Sequence, residues 1–193
     1  MNTNRNLTKE WIEECAHAML STEVESCNND KMTLDEGTFA LRICARALTK
    51  AGGKTIFVGN GGSTAIASHI AVDWALANLR ALALTDAAAI SSHGNDYGVE
   101  AIFSKQLELM QSQSPDVLVA MSCSGKSRNI IAAVKYARAH GMGTVTLSGY
   151  EHDNPLRKLG DINFWTPSTQ MGYVQMAHLG LLHTVCDFES AGA

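Results

Sequence analysis

The sequence predicts an α/β protein: a doubly wound, five-stranded parallel sheet flanked by helices, preceded by an N-terminal helical extension. Three observations predict it. Five short apolar runs recur at residues 54–59, 80–85, 116–121, 144–148 and 161–165, each bounded by Gly, Ser, Asp or Pro. Helical patterns separate them, and continuous apolar strands between helices imply a parallel sheet covered on both faces. The first fifty residues, by contrast, read as helical.

Leu7, Trp11, Cys15, Ala18 and Met19 recur at helical spacing, with Thr8 as a candidate cap. Asn28-Asn29-Asp30 is a break. Thr33 then opens a second helix, with Glu36 three residues on as its capping-box partner. That helix runs through Leu41, Cys44 and Leu48 and ends at Gly52-Gly53. The expected division is therefore a helical extension over 1–52 and an α/β domain over 53–193. Residues 172–189 read as a terminal helix.

The chain has 193 residues, of which 46% are hydrophobic and 18% charged, enough for one domain with a real core. A net charge of -4 argues against nucleic acid or an anionic membrane surface as partner. No apolar run is long enough to span a bilayer. Met1–Leu7 lacks the apolar core of a secretion signal. Five widely spaced cysteines fit neither a disulfide framework nor a zinc knuckle. A cytoplasmic location is expected.

The chemistry concentrates in two similar turns. The 54–59 run leads into Gly59-Asn60-Gly61-Gly62-Ser63, and the 116–121 run into Ser122-Cys123-Ser124-Gly125-Lys126-Ser127. Each precedes an alanine-rich helical pattern. Glycine lets the backbone approach a ligand, and the unpaired N–H groups at a helix start, with serine hydroxyls, bind phosphate. Cys123 stands at a predicted helix start, where a thiol pKa can fall, or is simply a small residue among serines. Lys126 and Arg128 either add charge to this turn or are solvated.

Other residues accompany the turns. His69 and Asp73 are four apart and share a helix face, as a metal-binding, proton-handling or merely surface pair. The last helix carries Gln175, His178 and His183. Gln175 and His183 lie roughly 12 Å apart along a straight helix, so one small site needs both side chains at full reach or two subunits. Gly94-Asn95-Asp96-Tyr97-Gly98 reads as a turn, with Asp96 a candidate acceptor for sugar hydroxyls.

Together these motifs resemble the sugar isomerase (SIS) domain family and, within it, the phosphoheptose isomerases, over about residues 35–188. Residues 59–63 match the family's GNGGS, 69–73 stand where it has HFAxE, and 94–98 match GNDYG. Residues 122–127 match STSGxS, and 174–178 match IQExH, with His183 five residues later. The resemblance implies an aldose–ketose isomerisation of a sugar phosphate through an enediol. The expected substrate is sedoheptulose 7-phosphate or a variant sugar phosphate. Asp73 and His183 correspond to the catalytic acid–base pair. Substrate contacts fall on Asn60, Gly61, Gly62, Ser63, Asp96, Ser122, Cys123, Ser124, Ser127 and Gln175. Family members can hold zinc between residues matching His69, Asp73, Gln175 and His183, which sets the expectation of one Zn2+ per subunit and no organic cofactor. The resemblance also implies a homotetramer with active sites at subunit interfaces. Alternative readings are a non-catalytic relative of the type that binds a replication initiator, and an SIS enzyme acting on another sugar phosphate.

The chain also departs from the family pattern. Asp73 stands where glutamate is usual. The GR(F/Y) stretch is missing, leaving Arg80 as the nearby substitute for its arginine. The glycine-rich GxDGG loop has become Tyr150-Glu151-His152-Asp153-Asn154-Pro155.

Overall fold

A computed structural model describes residues 6–191, so Met1–Arg5 of the N-terminal stretch lie outside it. The chain begins with α1 (Leu7–Leu20), β1 (Glu23–Ser26), β2 (Lys31–Met32) and α2 (Leu34–Lys50). Five strands follow: β3 (Thr55–Val58), β4 (Ala81–Ala83), β5 (Val117–Ser122), β6 (Gly143–Ser148) and β7 (Ile162–Trp165). Between and after them run α3 (Gly62–Leu76), α4 (Ala87–Tyr97), α5 (Ile102–Leu109), α6 (Arg128–Ala139) and α7 (Met171–Ser190).

The five expected strands all form and pair in parallel. The sheet is wider than expected, with the order β2-β1-β7-β6-β5-β3-β4. The N-terminal extension is thus not wholly helical. Residues 23–32 form a hairpin that joins β7 antiparallel, and the 28–30 break is its turn, with Asn29 at φ 63°. Strands of four and two residues are too short to show a periodicity. What holds them is distant in sequence: Val24 is buried in the core, and Arg157 donates to Glu23 and Glu25, both at 2.8 Å. At α1 the N-cap is Asn6 rather than Thr8, and no side chain caps it. The capping box at Thr33 and Glu36 forms as its spacing requires.

β5 shows why the sheet needs helices on both faces. All six of its residues are buried, and successive side chains alternate faces. Val119 and Met121, with Phe57, Leu147 and Phe164, pack under α2, α3 and α7. Leu118 and Ala120, with Ile56 and Val58, pack under α5 and α6. Trp74 of α3 meets Phe57 edge-on at 5.0 Å and donates its indole N–H to Leu182 O at 3.1 Å, which fixes α3 against α7.

β3 pairs with β4 on one side and β5 on the other. The winding direction reverses there, which opens a crevice beyond the carboxyl ends of β3 and β5, where ligands of such sheets bind. At the opposite end, Lys54 donates to Asp116 through its backbone N–H at 2.9 Å and its ammonium at 2.6 Å, pinning the two strand starts.

Candidate active site

Both serine–glycine turns open into this crevice. A cavity of about 310 Å³ is lined by Asn60, Gly61, Gly62 and Ser63 from the first turn and Ser122, Cys123, Ser124 and Ser127 from the second. Met121, Tyr150, Met171 and Gln175 complete the wall. α3 starts behind Gly61 with no side-chain cap, and α6 starts behind Ser127 with none either. The cradle thus offers hydroxyls and two uncapped helix starts to an anion.

Polar pairs hold the two turns in register. Asn60 and Asn129 exchange amide hydrogen bonds, 2.9 Å in each direction. Within the second turn Ser122 Oγ donates to Ser127 Oγ at 3.0 Å. Gly125 adopts φ +63° against the buried Asn154, whose amide occupies the space a Cβ there would need. No side chain other than hydrogen fits. A Cβ at Gly62 would likewise run into the Gln175 amide, so this side chain of α7 sits directly over the start of α3.

The residues expected to handle protons gather two turns further along α3. His69 Nε2 lies 3.2 Å from Asp73 Oδ2 and 3.2 Å from His183 Nε2, and His183 Nδ1 is 3.6 Å from Asp73 Oδ2. The i,i+4 spacing puts the first two on one face of α3, and α7 brings His183 across to them. The three are half-exposed, so solvent and substrate can reach them.

This cluster suits a divalent metal. All three residues offer ligand atoms within 4.8 Å of one another. Ligands about 2.0–2.1 Å from a tetrahedral zinc lie roughly 3.3 Å apart, close to the 3.2 Å that separates His69 Nε2 from Asp73 Oδ2 and from His183 Nε2. The two imidazole Nε2 atoms face each other at 3.2 Å, one ring donating its N–H to the other. Of the expected ligand set, His69, Asp73 and His183 come together, while Gln175 lines the serine–glycine cavity two helical turns before His183.

The remaining candidate residues take different positions. Asp96 is not among the residues that line the cavity; residues 94–97 form the last turn of α4, which ends at Gly98 with φ 84°. There Asp96 is exposed and accepts from Ser92 and Asn95. Arg80 lies at the opposite end of the sheet, donating to Gly52 O and, through its N–H, to Thr49. Lys126 and Arg128 pair with Glu151 and Glu100 on the surface. Cys123 precedes the start of α6 by five residues, and burial pushes its thiol pKa up despite hydrogen bonding with Ser63 and Gln175. His178 is fully buried, with Nε2 3.2 Å from Ser148 O, and burial lowers its pKa to about 4.

Sequence reasoning missed Tyr150, Met171, Asn129 and Asn154. For Asn129 a signal existed, an amide two residues past the second serine turn. For the others the signal is purely spatial.

Comparison with known proteins agrees with this arrangement. The SIS domain model matches residues 33–149. A phosphoheptose isomerase from Akkermansia muciniphila is 39% identical over 153 residues, covering 76% of this chain and 79% of that protein. One from Burkholderia pseudomallei is 41% identical over 142 residues, covering 70% and 71%. The solved structure of a phosphoheptose isomerase from Neisseria gonorrhoeae superposes with a TM-score of 0.81 at 30% identity, covering 96% of this chain and 97% of that one. With the glycine–serine cradle at the switch point and the His–Asp–His cluster beside it, the chain belongs to the SIS domain family and, within it, to the phosphoheptose isomerases.

Proposed function

We propose that this protein interconverts a ketose phosphate and an aldose phosphate, with sedoheptulose 7-phosphate as the substrate. The observation that carries the chemistry is the contact of Asp73 with two imidazoles on α3 and α7. The phosphate rests on Ser63, Ser122, Ser124 and Ser127. The Asp73 carboxylate takes a proton from C1 of the ketose, while His183 delivers one to the oxygen on C2. The resulting enediol loses its O1 proton to His183 and regains a proton at C2 from Asp73. The product is the aldose, and both residues return to their starting states. His69, which contacts both, holds them in place. His69, Asp73 and His183 are the residues that would hold a zinc ion, which when bound polarises the substrate carbonyl.

Asp73 is one methylene shorter than glutamate, and His183 brings α7 close enough to meet it. The protein acts in the cytoplasm as a homotetramer, which would bring further residues to the half-exposed cluster. Among the described residues no helix is long and apolar enough to cross a membrane. The test is NMR of sedoheptulose 7-phosphate incubated with the protein in deuterated water, with bound metal quantified. Deuterium at the carbon beside the carbonyl, or a new aldose phosphate, is the expected result. An unchanged spectrum from folded protein would reject the assignment. Light scattering checks the tetramer.

A further inference from the structure

Among the described residues, four other than glycine adopt positive φ: Asn29, Asn78, Gln111 and Tyr150. Three carry amide side chains, and none of these three lines the phosphate cavity. Tyr150, at φ 58°, does line it. A bulky side chain is poorly suited to the left-handed region, and such outliers persist where their surroundings over-determine them, often at ligand sites.

The surroundings here do so. Tyr150 N–H donates to Ser168 O at 2.9 Å, and Gly149 N–H donates to Cys123 O at 3.0 Å. Asn154, wholly buried, donates to Ser148 Oγ, Gly149 O and Glu151 O, and accepts from Arg157 N–H. Leu156 N–H donates to Gly125 O at 3.1 Å, and Lys126 pairs with Glu151 at 2.7 Å. The 149–156 segment is therefore clipped to the second serine turn along its length. All of these bonds are made by neighbours of Tyr150 or by its backbone. Glycine at position 150 would keep them and relax the backbone, so the tyrosine side chain answers to something other than the fold.

The cavity itself suggests what. Its anion-binding side is made of small residues and hydroxyls, whereas Tyr150, Met171 and Gln175 form the remaining wall. We propose that Tyr150 is a specificity-determining residue that contacts the polyhydroxylated carbon chain of the substrate, not its phosphate. This rests on the isomerase reading above. A phenol ring packs on the C–H edges of such a chain and its hydroxyl meets the chain's hydroxyls.

Calorimetric titration of wild type, Tyr150→Phe and Tyr150→Gly with inorganic phosphate and with sedoheptulose 7-phosphate tests this. In Tyr150→Gly the affinity for the sugar phosphate falls about tenfold. Inorganic phosphate stays within about twofold, because the serine cradle is untouched. Tm is no lower than wild type, since glycine relieves the positive φ. Tyr150→Phe falls between the two. Equal losses for both ligands, no loss for either, or a wild type that binds both alike would overturn the proposal. Should Tyr150→Gly not fold, Tyr150→Asn, which tolerates the same φ, gives the same readout. Deuterium exchange on the same samples separates the two readings. Preferential binding without exchange removes the isomerase assignment and leaves the Tyr150 contact standing.

Discussion

His183 meets Asp73 and His69 from a different helix, so its removal separates chemistry from folding. His183→Ala deletes a half-exposed ring. Turnover should fall about 10²- to 10⁴-fold, the usual contribution of a positioned acid–base group, with Tm close to wild type. Steady-state assay and thermal denaturation of the variant check this, and retained turnover would remove His183 from the mechanism. Asn129 plays a different part. Asn129→Ala leaves the Asn60 amide without its partner and frees the two turns to drift apart. KM should rise several-fold while kcat changes less, and stability should drop by only about 1 kcal/mol, because the exposed Asn60 amide can be hydrated. Equal KM in wild type and variant would show that the amide pair does not position the cradle. Much of the residue-level site was legible because its spacing is local: the glycine turns and the His69–Asp73 pair lie within a few residues of one another. Asp96 and Arg80 lie away from the cavity, and their sites were not legible for the opposite reason. Their positions depend on where α4 and β4 pack, and nothing in their neighbouring residues encodes that.

Elements were legible in proportion to their length and to how far their own residues decide them. The capping box of α2 is written in two residues three apart, and it forms, with Glu36 accepting from Thr33 N–H at 2.7 Å and Thr33 Oγ1 accepting from Glu36 N–H at 3.2 Å. Thr33→Ala should cost about 1 kcal/mol, measured as a shift in the urea midpoint at constant m value. No shift would mean that packing alone sets the start of α2. The β1–β2 hairpin escaped notice because its stabilisation comes from the far end of the chain. Arg157 is buried between Glu23, Glu25 and the Trp165 ring, 4.7 Å below the guanidinium. Such a pairing spans more than a hundred residues of sequence.

At the scale of the whole molecule, one buried titration should couple folding to acid. His178 is neutral in the folded state, its pKa lowered to about 4 from an ordinary 6.5. The unfolded chain therefore binds the extra proton between these values, so stability is full above about pH 6.5 and declines as pH falls toward 4. The span corresponds to a loss on the order of 3 kcal/mol. Tm measured from pH 7 to pH 4.5 should fall accordingly, and His178→Gln, which cannot take the proton, should flatten the slope. A parallel slope in both proteins would place the acid sensitivity elsewhere.

The two margins of the sheet differ in origin but share one property. One ends in β2, two residues long, and the other in β4, three residues long. Margins this brief offer almost no free ladder to a foreign strand, which guards against edge-to-edge growth into fibrils. The apolar side chains left in solvent lie instead on helices: Trp11 and Ile12 on α1, Phe39 and Ile43 on α2, Val72 and Leu76 on α3. Any contact between copies of the chain would therefore be made by side chains packing between helices and not by the addition of strand to strand.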